Sequence, residues 1–461
     1  MMLPSAVEMA RKAALAMSPT VALLGIMIMI VIYQFVHPRR ARDPEPLQCE
    51  KPRDENDRFR YDIFGIAKAL ELGYHLRRRS SLQYTNALFN RYGETYASRV
   101  MGHRLVFTCN PENTTHLLST AFADFDSSPL RKPMFEPITP HGIFTLDGAD
   151  WKTSRGQLRG RLANLRKIID LDQCEAHFQA FLRHVPVDGT VFDVQACNFA
   201  LSLDMQTLFS LGESVDALSL TPSPEKKQFV DDLLLVKNRI VDDGFRGPLR
   251  HLFPRGRFLR ACKRARSFVL AHATREVQKR RGEKVDSNIE RQEISQFADE
   301  ALSILLANDS MGTALSGMFY CLSRSERVVR NLRDSIVDTI GLAPPTWGQL
   351  SSLHYVRWVI FEVLRLYPAV VLNARVANKH CTLPSGGGVH GTSPILVRKG
   401  EIVVFSTWAR HRLGEEFGVA PEEFRPERWE HLGDMPGFIP FNKGPRICPG
   451  RRFALGCWYS I

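Results

Sequence analysis

Residues 13–36 contain no charged side chain. Pro19 interrupts the run, and residues 20–36 continue it as TVALLGIMIMIVIYQFV. At about 1.5 Å per residue this continuation spans about 26 Å, close to the roughly 30 Å of a hydrocarbon core. It ends in aromatic residues followed by Pro38, Arg39, Arg40 and Arg42. A cleaved signal peptide would have a shorter apolar region and a small-residue cleavage site. The pattern predicts a retained membrane anchor at 1–36, with the arginines holding the main body on the cytosolic side. Residues 37–57 are polar and rich in Pro, Arg, Asp and Glu, and read as a linker.

The remainder, 58–461, shows no internal repeat and no further run able to cross a membrane, so it is expected to form one soluble body. Its pattern is mostly helical. Val356, Val359, Ile360, Val363 and Leu364 recur at helical spacing, and Pro368 stops that helix. Residues 300–322 predict a second long, largely apolar helix. Strand signals are few: 104–109, and 395–405 with its Ile, Val and Phe. Between them 382–391, TLPSGGGVHG, is turn chemistry, and no Lys-Ser/Thr follows that would make it a phosphate loop. The fold class read from these patterns is mainly α with small β-sheets.

Composition narrows the classes. Of 461 residues, 44% are apolar and 24% charged, which excludes a disordered or fibrous chain. Nine scattered cysteines form no disulfide framework and point to a reducing compartment or a ligating thiolate. The net charge of +12 permits nucleic acid, anionic membrane or an acidic partner. Basic clusters at 77–79, 159–167 and 279–281 carry no zinc-finger or RNA-binding signature, so nucleic acid is not expected. Arg159, Arg161, Arg166 and Lys167 are the positions suited to docking an acidic protein.

The chemistry gathers at 441–450, FNKGPRICPG. Cys448 precedes a predicted helix at 449–458 with Pro well placed in its first turn. A thiolate there faces unpaired N–H groups and the positive helix end, both of which lower a cysteine pKa. Gly444 and Gly450 let backbone approach a large flat group. Arg446, two residues before the sulfur, can pair with a carboxylate of that group. A lone thiolate does not suit zinc, which takes about four protein ligands. It suits haem, whose macrocycle supplies the other donors. Glu362 and Arg365 share a helix face, and a charge pair in an apolar helix must be partnered. Asp309 and Ser310 sit in an apolar helix, where short polar side chains compete for backbone hydrogen bonds and can bend it.

FxxGxRxCxG resembles the haem-binding signature of the cytochrome P450 family. Four further segments resemble that family's motifs in order: Trp151 to Arg155 its WxxxR, LANDS at 306–310 the bend of its central helix, Glu362 to Arg365 its ExxR, and FRPERW at 424–429 its PERF segment. The resemblance covers about residues 60–461 and implies the P450 fold. HGIFTLDGADW, LPSGGGVHG and FNKGPRICPG resemble most the fungal membrane-bound subgroup that hydroxylates n-alkanes and fatty acids.

The resemblance implies haem b with Cys448 as its axial thiolate, seated by Phe441, Gly444, Arg446 and Gly450. It implies that Trp151, Arg155 and Arg375 hold its propionates. It makes Arg428 the third member of a structural triad with Glu362 and Arg365. It gives Asp309 and Ser310 the delivery of protons to bound oxygen, although here Ser replaces the usual Thr and Ala307-Asn308 the usual Gly. It implies electrons from NADPH through a separate reductase, an endoplasmic reticulum membrane location and an apolar substrate. Oxidation of an aromatic or polycyclic secondary metabolite is the alternative, as is an inactive haem-binding remnant. Only 13 residues follow Cys448, 461 − 448, where the family continues further. The C-terminal end is therefore expected to be incomplete.

Overall fold

The computed structural model describes residues 49–55, 65–162, 169–281, 288–341, 343–432 and 435–460. The anchor expected at 1–36 lies outside them. Among the described residues no helix is long and apolar enough to cross a membrane. Part of the expected linker belongs to the folded body. Pro52 bridges to Gly387, and β1 (Arg53–Asp54) pairs in parallel with β2 (Thr95–Val100). Glu55 is buried against the Lys68 ammonium, so the ordered body starts before residue 58.

Helices α1 (Ile66–Arg77) and α2 (Ser81–Tyr92) lead into β2 and β3 (His103–Thr108). After β4 (Phe125–Asp126) come α3 (Ser128–Phe135), α4 (Gly148–Arg161), α5 (Leu171–Leu182), α6 (Val194–Leu211), α7 (Pro224–Arg246) and α8 (Gly256–Arg281). The central α9 (Asn288–Leu306) and α10 (Asp309–Leu322) follow, then α11 (Glu326–Ile340) and α12 (His354–Leu366). Strands β5 (Leu372–Ala377), β6 (Cys381–Gly387), β7 (Ser393–Val397) and β8 (Ile402–Ser406) precede α13 (Thr407–Leu413) and the last helix, α14 (Arg451–Ser460). The chain is mainly helical with small sheets, as its pattern predicts.

One sheet has the order β1-β2-β3-β8-β5-β4, and β6 pairs with β7 in a second. In the first, Leu105 of β3 faces Ile402 of β8 in parallel, and Arg375 of β5 faces Val403 in antiparallel. Two pattern expectations are corrected here. The single strand read at 395–405 is two strands in different sheets, because Gly400 takes a positive φ of 86° and turns the chain. The turn read at 382–391 is strand as far as Gly387, with a register irregularity after Leu383. Glycine permits this irregularity: a Cβ on Gly386, at φ 123°, would lie 2.5 Å from Thr95 Cγ2.

Two helical cores matter for the site. One packs α6, α7, α8 and α9 through Leu203, Phe229, Phe268, Ala298 and Leu302. The other joins α4, α5, α6, α10, α12 and α14 through Leu158, Phe181, Leu201, Met311, Ile360, Phe453 and Trp458. α6 and α10 approach closely because Gly312 has no side chain. A Cβ there would meet Phe199 Cδ1 at 2.3 Å.

Candidate active site

The loop 441–450 closes on itself. Cys448 N–H donates to the Phe441 carbonyl at 2.8 Å, and Ile447 N–H to that of Gly444 at 3.0 Å. Gly444 is required here by the packing of the loop itself. Its φ is 66°, and a Cβ would lie 1.9 Å from the Leu118 carbonyl oxygen. The loop is thus pressed onto the one-turn helix His116–Thr120. Helix α14 starts at Arg451, slightly later than read.

Cys448 is exposed. The N–H groups of Gly450 and Arg451 and the Arg155 guanidinium all lower its pKa, as the helix-terminus argument predicts. Desolvation by the protein packed around it is the larger influence and raises the pKa overall. That corrects the expectation of a thiol acidified by position alone.

Arginines surround this loop. Arg446 donates from Nη2 to the Leu146 carbonyl at 2.9 Å and pairs with Asp147. Its guanidinium lies 4.3 Å from the Trp151 ring centroid. Arg155, one turn along α4 from Trp151, donates to the Ile447 carbonyl beside Cys448. Arg375 is 1% exposed on β5 and donates to the Ala374 carbonyl at 2.8 Å. Arg131 of α3 joins them. Sequence reasoning missed it, because no motif marks it.

Burial lowers all four arginine pKa values, Arg446 to about 10 and Arg375 to about 9, where Arg131 and Arg446 add repulsion. The carboxylates coupled to this group are Asp147 and Asp126. Asp147 also accepts from the N–H groups of Ser127 and Ser128. Four guanidiniums against two carboxylates leave a formal excess of +2, which matches the two propionates of haem b. Buried Arg375 Nε and Arg446 Nε have no hydrogen-bond partner, and buried donors of this kind call for an acceptor. Among the described residues no group of three or more His, Cys, Asp or Glu side chains could hold a metal ion by itself. The donor set therefore fits haem held by one thiolate, whose carboxylates Arg446 and Arg375 would receive.

The charged triad assembles in full. Glu362 and Arg365 are fully buried on α12. Arg365 donates from Nε and Nη2 to the two Glu362 oxygens, both at 2.9 Å. Arg428 Nε donates to Glu362 Oε1 at 2.8 Å. Trp429 Nε1, unforeseen, donates to Oε2 at 2.9 Å. The outer faces of both arginines reach the carbonyls of His411, Pro421, Glu423, Ala420 and Phe417. The triad therefore ties α12 to the stretch that leads into the cysteine loop.

His411 makes a second tie that the sequence did not reveal. Its Nε2 accepts from Ile439 N–H at 3.0 Å, so Nδ1 carries the proton, facing the Arg365 carbonyl at 3.3 Å. Burial pushes its pKa down to about 3. The unfolded chain takes a proton near pH 6.5 that the folded site refuses, so stability falls as pH falls. Between pH 7 and pH 5 this group should remove about 2 kcal/mol. In His411→Gln that part of the acid loss should vanish, as denaturant titrations at the two pH values would show.

The expected bend in the central helix is a break. α9 ends at Leu306 and α10 begins at Asp309. Ser202 Oγ donates at 2.9 Å to the Asn308 carbonyl, which also accepts from Met311 N–H at 3.0 Å. Ser310 Oγ donates to the Ala307 carbonyl at 2.8 Å. Lys237 of α7 donates to Asn308 Oδ1 at 2.6 Å and to Asp309 Oδ1 at 2.5 Å. Asp309 thus shares a cation with the helix break, about half exposed.

Of the basic cluster, Arg159 is exposed. Arg161, also exposed, pairs with Glu300, 2.6 Å away, and lies over the Phe297 ring. Arg166 and Lys167 lie outside the described residues.

The family profile described as Cytochrome P450 matches residues 63–456. The cytochrome P450 monooxygenase himC of Aspergillus japonicus is 34% identical over 95% of this chain and 82% of its own length. Cytochrome P450 52A5 of Candida maltosa is 35% identical over 78% of this chain and 74% of its own. Cytochrome P450 52A13 of Debaryomyces hansenii is 32% identical over 78% and 75%.

Proposed function

Since the chain belongs to the cytochrome P450 family and is a monooxygenase of that family, we propose that it inserts one oxygen atom of O2 into a C–H bond of an n-alkane or a fatty acid. The observation that carries the assignment of the site is the meeting of an accessible Cys448 with four arginines, Arg375 buried and Arg131, Arg155 and Arg446 half-buried. Haem bound there supplies oxygen binding and activation, with the thiolate donating electron density.

The protein's residues do the rest. Gly450 and Arg451 N–H groups and Arg155 favour the charged sulfur. Arg375 and Arg446 would offer their unpaired donors to the carboxylates of the cofactor. Asp309 and Ser310, at the helix break, hold and pass protons at their Oδ and Oγ atoms, and Lys237 fixes Asp309. Electrons come from NADPH through a separate reductase, docked on the basic face that includes Arg159. Residues 1–36 anchor the folded body on the cytosolic side of the endoplasmic reticulum membrane, through the polar segment that begins at residue 37. The substrate class rests on the motifs shared with the fungal alkane and fatty-acid hydroxylases.

Spectral titration and turnover with NADPH and a reductase test this. Medium- and long-chain alkanes or fatty acids should shift the haem spectrum and yield hydroxylated product. Binding and turnover of polycyclic aromatics alone would overturn the substrate class. Haem-replete protein without product from any of these compounds would make it a remnant.

A further inference from the structure

Asn373, two positions before Arg375 on β5, gathers three donors on one oxygen. Its Oδ1 accepts from Ala374 N–H at 2.9 Å, from Arg131 Nη2 at 2.9 Å and from Arg375 Nη1 at 3.3 Å. Three donors identify the atom as oxygen rather than the amide nitrogen. The bond from its own neighbour's N–H holds the amide still. The other two come from guanidiniums on different elements, α3 and β5, which repel each other.

Among the described residues, Arg131 donates one side-chain hydrogen bond, and it goes to Asn373. The guanidinium also lies 5.7 Å from the centroid of the Phe144 ring. Without an acceptor between them, burial and like-charge repulsion would both favour Arg131 leaving the cluster. Hydrogen bonds to charged groups are the stronger class, so one amide oxygen can decide where such a side chain rests.

We propose that Asn373 is a positioning residue that holds Arg131 beside Arg375 in the cationic cradle. This makes Arg131 a further holder of the cofactor's carboxylates, and so rests on the haem reading above. The role is electrostatic: Asn373 acts through the two arginines, keeping two like charges together where two negative charges are to be received.

The test is the rate of haem transfer from holoprotein to excess apomyoglobin. Asn373→Leu keeps the size and removes the acceptor, and should release haem about tenfold faster, the lower range for one hydrogen bond to a charged group. Asn373→Asp keeps an oxygen and should release it no faster than wild type. In an Arg131→Gln background the effect of Asn373→Leu should shrink. Wild-type release from Asn373→Leu, fast release from Asn373→Asp, or an unchanged effect without Arg131 would each overturn the proposal. If Asn373→Leu does not fold, Asn373→Ala serves the same comparisons. A wild type without a thiolate-type spectrum would instead sink the haem reading, before any variant is compared.

Discussion

Glu362→Ala is expected to yield protein that fails to take up haem during expression, not merely a slower enzyme. The carboxylate accepts from Arg365 Nε and Nη2, Arg428 Nε, Trp429 Nε1 and the Arg425 N–H, with no exposed surface. Removing it leaves two buried guanidiniums without their counter-charge, at a cost of about 3–5 kcal/mol. Total domain stability is only about 5–15 kcal/mol. The damage would also be local to the site. Arg365 and Arg428 hold the carbonyls of His411, Phe417, Pro421 and Glu423, and His411 holds Ile439, just before the cysteine loop. Glu362→Gln keeps the shape and one acceptor and should be milder. Haem-to-protein ratio and thermal unfolding of the expressed protein measure both. Folded, haem-replete Glu362→Ala would show that the buried pair does not support the loop.

What the sequence revealed and what it hid follow from the range of the forces involved. The α12 helix was legible because Val359, Ile360, Val363 and Leu364 bury one face at local spacing. Glu362 and Arg365 were legible for the same reason, being one turn apart. Cys448 was legible as a chemical group in a short loop with a helix behind it. The loop's true packing was not, since Gly444 is set by Leu118, more than 300 residues earlier in the chain.

Partners drawn from distant segments stayed hidden. His411, Arg131 and Asn373 belong to no short pattern, and Trp429, though it ends the FRPERW segment, showed no sign of its bond to Glu362; their roles come from contacts between distant segments. The 395–405 and 382–391 misreadings have another cause. Apolar alternation marks extended backbone, but it does not tell one strand from two when a glycine turns the chain. Nor does a glycine run distinguish a turn from an irregular strand.

Cysteine pKa also resisted local reasoning. The helix-end donors act as expected, but the burial that outweighs them depends on the whole surrounding fold. Exposure of the residue separates Cys448 from its rivals. All nine cysteines are among the described residues, and only Cys448 is exposed. Burial pushes Cys262, Cys321 and Cys381 up to about 12. A second thiol ready to replace it is therefore not expected.

The central claim is that haem is held through Cys448, and Cys448→Ser addresses it with a change of one atom. A serine alkoxide is inaccessible at neutral pH, so the variant offers no strong anionic ligand. The loop's own hydrogen bonds, Cys448 N–H to Phe441 and Ile447 N–H to Gly444, use backbone atoms and should survive. The measurement is the absorption spectrum of the reduced, CO-bound protein, recorded side by side for wild type and Cys448→Ser. The wild type should give the red-shifted band of a thiolate-ligated haem, and the variant should lose it entirely. A thiolate-type band retained by Cys448→Ser would contradict the account, because another cysteine would then be the ligand.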